Sequence, residues 1–326
     1  MRIGFIHTYK DIISVDNLLL AWKEFLKGKR NKKDVQQFQI KLMDNIFELH
    51  NDLVNKKYTH SDYYAFNISD PKPRNIHKAS VRDRLLHHAI YRTLYASFDK
   101  TFINDSYSCR KFKGTHRAIK RFRQFIYKVS ENNTKTCWIL KCDVRKFFAS
   151  IDQNLLLEII GKYIQDKDIN WLLSQIVTSF SSTKEGIGLP LGNLTSQLLV
   201  NVYMSEFDYF MKHTLKTKYY IRYADDFVIL SQDKKWLESI LPEIRIFLLE
   251  KLKLTLHPDK IFIKTLASGV DFLGWVHFCD HKTLRTSTKR RMFKKFKSAV
   301  PQKVFDSYFG LLGHGNTHKL RKQLVL

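Results

Sequence analysis

Residues Tyr219 to Leu230 read Tyr-Tyr-Ile-Arg-Tyr-Ala-Asp-Asp-Phe-Val-Ile-Leu, two adjacent carboxylates inside an apolar run. The flanks are β-branched and aromatic, so the stretch predicts two strands joined by a tight turn, with Asp225 and Asp226 at its tip. A carboxylate buried without a partner is costly, and a divalent cation is the most natural partner. The alternative is a turn with solvated acids, and a third carboxylate on another strand favours the metal. Asp143 supplies it, closing the apolar run Ile139-Leu140-Lys141-Cys142-Asp143-Val144. Asp143 with Asp225 would hold two Mg²⁺ ions, Mn²⁺ being a possible substitute. Such a pair activates a 3′-hydroxyl and stabilises a departing pyrophosphate in an in-line displacement. Hard oxygen ligands suit Mg²⁺. Asp226 would orient the site.

The chain has 326 residues, 44% of them hydrophobic, enough for a large core. Lys and Arg number 56 against 31 acids, a net charge of +25. So basic a surface repels itself unless it meets polyanions; nucleic acid comes first and an anionic membrane second. No apolar run is long enough to span a bilayer, so no membrane partner is expected. The first residues do not read as a signal peptide. Cys109, Cys137, Cys142 and Cys279 lack Cys-x-x-Cys spacing, which supports neither a zinc site nor a disulfide framework. A reducing cytoplasm is the expected location. His87 and His88 read as ordinary helix residues rather than ligands.

Along the chain, residues 16–56 predict two amphipathic helices separated by the basic break 27–33. A strand pair is expected over 61–80, a helix over 81–103, and a basic, aromatic segment from Tyr107 to Tyr127. Helices follow over 153–180, then a loop over 186–192 and a long helix from Leu194 to Met211. After the Asp-Asp hairpin come a helix near 234–252, strands near 260–264 and 270–277, and a basic helical tail from Arg285. This β-α-β-β-α-β order predicts an α+β fold with a four-stranded antiparallel, ferredoxin-like sheet.

The order of these pieces resembles the reverse transcriptases over residues 17–300. Leu140 to Phe148 is similar to that family's first catalytic motif, Tyr223-Ala224-Asp225-Asp226 to its signature hairpin, and Leu252 to Lys260 to the motif after it. Phe272-Leu273-Gly274-Trp275 resembles its primer-grip turn. Pro73 to Ile76, Val81 to Arg84 and Ser106 to Arg110 resemble finger motifs of the bacterial branch. The resemblance implies a right-hand polymerase: a helical extension over 1–60, fingers over 61–138, palm over 139–275 with some finger elements within 153–190, and a short helical thumb over 276–326. Leu191-Gly192-Asn193-Leu194-Thr195-Ser196-Gln197 stands where most members carry Gln-Gly-x-x-x-Ser-Pro. That variant is similar to the enzymes of diversity-generating retroelements, which copy a template-repeat RNA with errors at its adenines. No maturase or endonuclease extension is seen after the thumb, so a complete group II intron protein is not expected.

The resemblance assigns roles. Asp143, Val144, Asp225 and Asp226 would hold the metals. Phe148 would be the steric gate against a 2′-hydroxyl, or a core side chain. Arg74, with Lys72, would grip the triphosphate, its planar guanidinium suiting bidentate phosphate contact, or would be a solvated strand end. Arg110 and Lys113 would touch template or nucleotide, or form plain basic surface. Leu191, Gly192 and Gln197 would line the pocket of the nascent base pair; packing without effect on fidelity is the alternative. Lys260 would protonate the departing pyrophosphate or be a mere phosphate or surface lysine. Tyr223, Gly274 and Trp275 would face the primer end, or Trp275 would simply be buried. Arg290 and Lys294 belong to a tail helix with Met292, Phe293 and Phe296 on one face, which would track the nucleic-acid backbone or dock on the palm.

The expected reaction is RNA-templated DNA synthesis from dNTPs, with RNA template, cDNA or RNA primer and a small basic oligomeric accessory protein as partners. Retron, phage-defence and group II intron-like reverse transcriptases are the alternatives within enzymes, and an idle RNA-binding scaffold is the alternative outside them.

Overall fold

The computed structural model describes residues 7–69, 73–296 and 300–325. Its amino-terminal helices are α1 (Tyr9–Ile13), α2 (Val15–Phe25), α3 (Lys33–Ile40) and α4 (Leu42–Val54). The expected second helix is therefore broken at Lys41, whose φ of −113° and ψ of 43° leave helical space. The hairpin β1 (Tyr64–Ile68) and β2 (Arg74–Lys78) follows, then α5 (Val81–Asp99) and α6 (Thr115–Val129). Next come β3 (Trp138–Asp143), α7 (Gln153–Tyr163), α8 (Lys167–Val177), α9 (Leu194–Tyr209), β4 (Tyr220–Tyr223), β5 (Asp226–Ser231), α10 (Lys234–Leu252) and β6 (Phe262–Thr265). The segment expected as one strand over 270–277 is a hairpin, β7 (Val270–Phe272) and β8 (Trp275–His277), extended by β9 (Lys282–Leu284). The chain continues into α11 (Thr286–Phe296), α12 (Gln302–Leu312) and α13 (His318–Val325).

The central sheet has the order β4-β5-β3-β6 with every neighbour antiparallel, the ferredoxin-like arrangement the element order predicts. Strand side chains alternate between faces, and this explains both cores. Leu140, Cys142, Tyr220, Phe227 and Ile229 join α5, α9 and α10 in the larger core. Ile139, Ile221, Val228 and Leu230 face the other way, onto Phe122, Phe125 and Ile126 of α6 and Val270 and Phe272 of β7. By the same alternation Lys141, Asp143, Asp226 and Tyr223 project from this second face. There α6 and β7 cover one end of the sheet and the acids lie at the other.

A third, smaller core holds Ile119, Trp275, Leu284, Met292 and Leu312, with Phe293 and Phe296 packed against it. The apolar face read from the tail helix is therefore the docked one, leaving Arg290 and Lys294 exposed.

Candidate active site

β3 and β5 pair with Asp143 directly opposite Asp226, and β4 pairs Tyr223 with Asp226 across the same turn. Two residues bridge that turn. Ala224 takes a left-handed φ of 57°, and Asp225 accepts the Val144 N–H on its carbonyl at 3.0 Å. The Val144–Leu256 pair is flanked by bonds from His257 N–H to Asp143 O at 2.7 Å and from Arg145 N–H to Thr255 O at 2.8 Å. Both peptide groups of Val144 consequently turn away from that strand and toward the aspartate turn.

Asp143, Asp225 and Asp226 line one cleft of about 450 Å³ together with Arg74, Lys141, Tyr223, Asp259, Lys260, Gly274 and Arg285. Its charges are arranged in pairs. Lys260 donates from Nζ to Asp143 Oδ1 at 2.8 Å. It can do so because a 3₁₀ turn, Pro258–Lys260, lies between residues 255–257 and β6, which both pair alongside β3 and its continuation, and carries Lys260 beside the end of β3. Lys141 stands 3.3 Å from Asp226 Oδ2 and donates to the Asp271 carbonyl at 2.9 Å. Asp271 in turn pairs with Arg285. Lys141 and Arg285 were not singled out in the sequence. Lys141 follows the same-face alternation with Asp143, which is the signal that finds it; nothing local marks Arg285.

Burial pushes the Asp226 carboxyl up to about 6, with Asp143 and Asp225 adding to the rise and Lys141 opposing it. Its Oδ1 is buried without a hydrogen-bond partner. An orphaned buried carboxylate oxygen beside two further acids is a donor set suited to a hard cation. Among the described residues, however, no three His, Cys, Asp or Glu side chains converge as a ready metal cage. The acids line the cleft, each of Asp143 and Asp226 turned to its own lysine.

Other expected site residues fall in several places. Arg74 begins β2, is exposed and reaches the cleft; Lys72 lies outside the described residues. Tyr223 lines the cleft and accepts from the Thr115 hydroxyl at 3.1 Å. Gly274, φ 87°, makes the tight β7–β8 turn with Leu273, φ 50°, and its Cα side is open for close approach. Phe148, Leu191, Gly192 and Gln197 do not line this cleft. Phe148 is half-buried against the main core. The Leu191 carbonyl accepts from His77 N–H at 3.1 Å, and Gly192, φ 115°, is pressed against Ile76 so that a Cβ would meet it at 3.2 Å. The Leu191–Gly192 loop thus hangs on β2, the strand that carries Arg74. Gln197 sits in the first turn of α9.

Two expectations are corrected. Arg110 does not offer its guanidinium to nucleic acid: it donates to Asp99 Oδ1 at 2.7 Å and to the carbonyls of Ile103, Ser106 and Asp99, stapling the loop from inside. Trp275 does not face a primer: it is 2% exposed, packed against Gly315 and under the Lys282 ammonium. Lys113 donates to Asn104 at 2.7 and 2.8 Å and stays at the surface.

A family profile for reverse transcriptase (RNA-dependent DNA polymerase) matches residues 67–277, which contain every acid of the cleft. The chain belongs to the reverse transcriptases. It is 26% identical over 275 residues to protein YkfC of Escherichia coli, spanning 72% of this chain and 69% of that one. It is 21% identical over 307 residues to the group II intron-encoded protein LtrA of Lactococcus lactis, spanning 73% of this reverse transcriptase but only 49% of LtrA. Among solved structures, the apo telomerase of Candida tropicalis truncated from its C-terminal domain superposes with a TM-score of 0.52 at 14% identity, covering 73% of this chain and 59% of that one. The fold is thus the mixed helix-and-sheet fold of reverse transcriptases and telomerase, consistent with a right-hand polymerase. No helix among the described residues is long and apolar enough to cross a membrane.

Proposed function

We propose that this reverse transcriptase copies RNA into DNA in the Asp143–Asp225–Asp226 cleft. The observation that carries the reading is the register placing Asp143 opposite Asp226, with Asp225 in the turn between β4 and β5. Asp143, Asp225 and the Val144 carbonyl, with Asp226 beside them, are the groups that would hold divalent cations, Mg²⁺ or Mn²⁺. When bound, such ions lower the pKa of an attacking hydroxyl and balance charge on the leaving phosphates. The chain's own residues do the rest. Arg74 offers a planar fork to the triphosphate. Lys260 places an ammonium beside Asp143, where a leaving phosphate can take a proton. Gly274 lets the primer strand pass close to the backbone. Exposed Arg290 and Lys294 on α11 meet the backbone of the hybrid. In this reading residues 1–60 form the helical extension, 61–138 the fingers, 139–275 the palm and 276–326 the thumb. Magnesium-dependent extension of a primer on an RNA template, lost in Asp225→Asn, is the test.

Within the family we assign the chain to the diversity-generating retroelement type, copying a template-repeat RNA beside a small basic accessory protein. The Leu191 to Gln197 segment supports this reading, and its loop lies against the strand that presents Arg74. Sequencing cDNA from one RNA template tests it: errors concentrated opposite template adenine, and reduced in Leu191→Gln, are expected. Uniform fidelity at all four bases points instead to a group II intron-like enzyme, the reading favoured by the likeness to LtrA.

A further inference from the structure

Arg222, one residue before the signature hairpin, carries no role in the reaction described above, yet it is fully buried. It lies on the core face of β4, opposite to the cleft. Its guanidinium is held by Asp208 of α9, Nε to Oδ1 at 2.8 Å and Nη2 to Oδ2 at 2.6 Å. Tyr220 donates to the same Asp208 Oδ1 at 2.8 Å. The remaining nitrogen, Nη1, makes two bonds: to Asn201 Oδ1 at 3.2 Å and to the Ala224 carbonyl at 3.2 Å. Asn201 uses its amide nitrogen to reach the Ser108 carbonyl at 3.0 Å and the Gln197 carbonyl at 3.2 Å.

The Ala224 carbonyl belongs to the peptide that joins Ala224 to Asp225. A peptide is planar, so fixing its oxygen also fixes the Asp225 nitrogen and Cα. The next peptide is fixed as well, because Val144 donates to the Asp225 carbonyl at 3.0 Å. Both peptide planes around Asp225 are therefore pinned, one from the core by Arg222 and one from β3 by Val144. Pinning matters here because Ala224 adopts a left-handed φ of 57°, which a residue with a Cβ does not hold unaided. On the far side of Arg222, the Asn201 amide is anchored to the Ser108 carbonyl and, within α9, to the backbone carbonyl of Gln197 four residues earlier.

We propose that Arg222 and Asn201 are positioning residues that aim the Asp225 carboxylate. The proposal rests on the functional reading above, in which Asp225 holds a divalent cation. Asp208 keeps the guanidinium charged and oriented in the core, Asn201 sets its remaining edge, and Nη1 sets the turn.

Replacing Arg222 would strand Asp208 in the core and threaten folding, so Asn201 is the residue to change. The full-length chain extends a DNA primer on a defined RNA template at saturating dNTP while Mg²⁺ is titrated, with rates normalised to active enzyme by burst amplitude; thermal melting over the same Mg²⁺ range checks folding and reads metal binding without turnover. Asn201→Ala removes the acceptor for Nη1 and is expected to raise the half-saturating Mg²⁺ concentration about tenfold, as loss of a partner supporting a metal ligand does, while the KM for dNTP stays near the parent's. Asn201→Asp keeps an acceptor for Nη1 while losing the donor to the Ser108 and Gln197 carbonyls, and it is expected to retain the parent's Mg²⁺ dependence because the Nη1 contact is the one that reaches the turn. A folded Asn201→Ala with the parent's metal dependence, or equal shifts in both variants, overturns the proposal while leaving an active parent and the functional reading intact. A parent without Mg²⁺-dependent synthesis brings down the functional reading itself.

Discussion

Lys260 and Asp143 meet at 2.8 Å between Nζ and Oδ1, and the 3₁₀ turn ending at Lys260 exists at the one place where strand pairing beside β3 is interrupted. The contact places a half-exposed ammonium at the rim of the acidic cleft. Lys260→Ala is expected to slow single-turnover nucleotide addition by about 10²-fold, the lower range for loss of a general acid, with template–primer affinity little changed. Rapid-quench kinetics measures this. A rate within a fewfold of the parent would make Lys260 only a charge partner of Asp143.

Phe148 packs half-buried against the main core, five residues after Asp143, and its carbonyl takes the Leu189 N–H at 2.7 Å. We propose that this ring is the steric gate that the family resemblance implies. Phe148→Ala should therefore raise incorporation of ribonucleotides relative to deoxynucleotides in single-nucleotide assays. If the variant is destabilised but its sugar selectivity is unchanged, the ring serves the core alone.

Stability should fall as the solution is acidified below neutrality. Burial depresses His87 to about 3, with His60 next to it adding to the effect, and both ring nitrogens lack a partner. His277 is likewise depressed to about 3, chiefly by burial. Both groups have folded values below the unfolded value of about 6.5, so between those limits the unfolded chain binds more protons and is favoured as pH drops. Going from pH 6.5 to pH 5 should cost about 1.6 kcal/mol for each such imidazole, offset in part by Asp226, whose carboxyl, raised to about 6, takes up its proton more readily in the folded chain. Melting temperatures across that range measure the slope, and His87→Phe should flatten it. A parent whose stability does not change over this window would contradict the assignment of these rings as neutral and buried.

What the sequence reveals here depends on how local the signal is. Alternation around Asp143 and Asp225 marks strands and faces, and the apolar spacing of Leu194 to Met211 marks α9, because both patterns are written within a few residues. Partnerships are not. Nothing near Lys141 announces Asp226, nor does Arg222 announce Asp208, because antiparallel register and helix docking set those pairs across long stretches of chain. The nucleic-acid readings of Arg110 and Trp275 fail for the same reason, and for Trp275 the buried alternative is what the structure shows. A cation in a basic segment looks solvent-facing until Asp99 and three carbonyls are found around it, and a tryptophan at a turn looks available until Gly315 covers it. Helix α6 was legible in principle: Ala118, Ile119, Phe122, Phe125, Ile126 and Val129 recur at helical spacing, masked by the arginines and lysines between them.

In the proposed function, Asp143 and Asp225 serve metal-dependent DNA synthesis on RNA. Primer extension on a defined RNA template, with and without Mg²⁺, in the parent, Asp143→Asn and Asp225→Asn, tests it most directly. Synthesis is expected in the parent with Mg²⁺, none without it, and a loss of orders of magnitude in either variant while both keep the parent's circular dichroism and melting behaviour. Near-normal extension by either folded variant, or synthesis by the parent that ignores divalent ions, would contradict it.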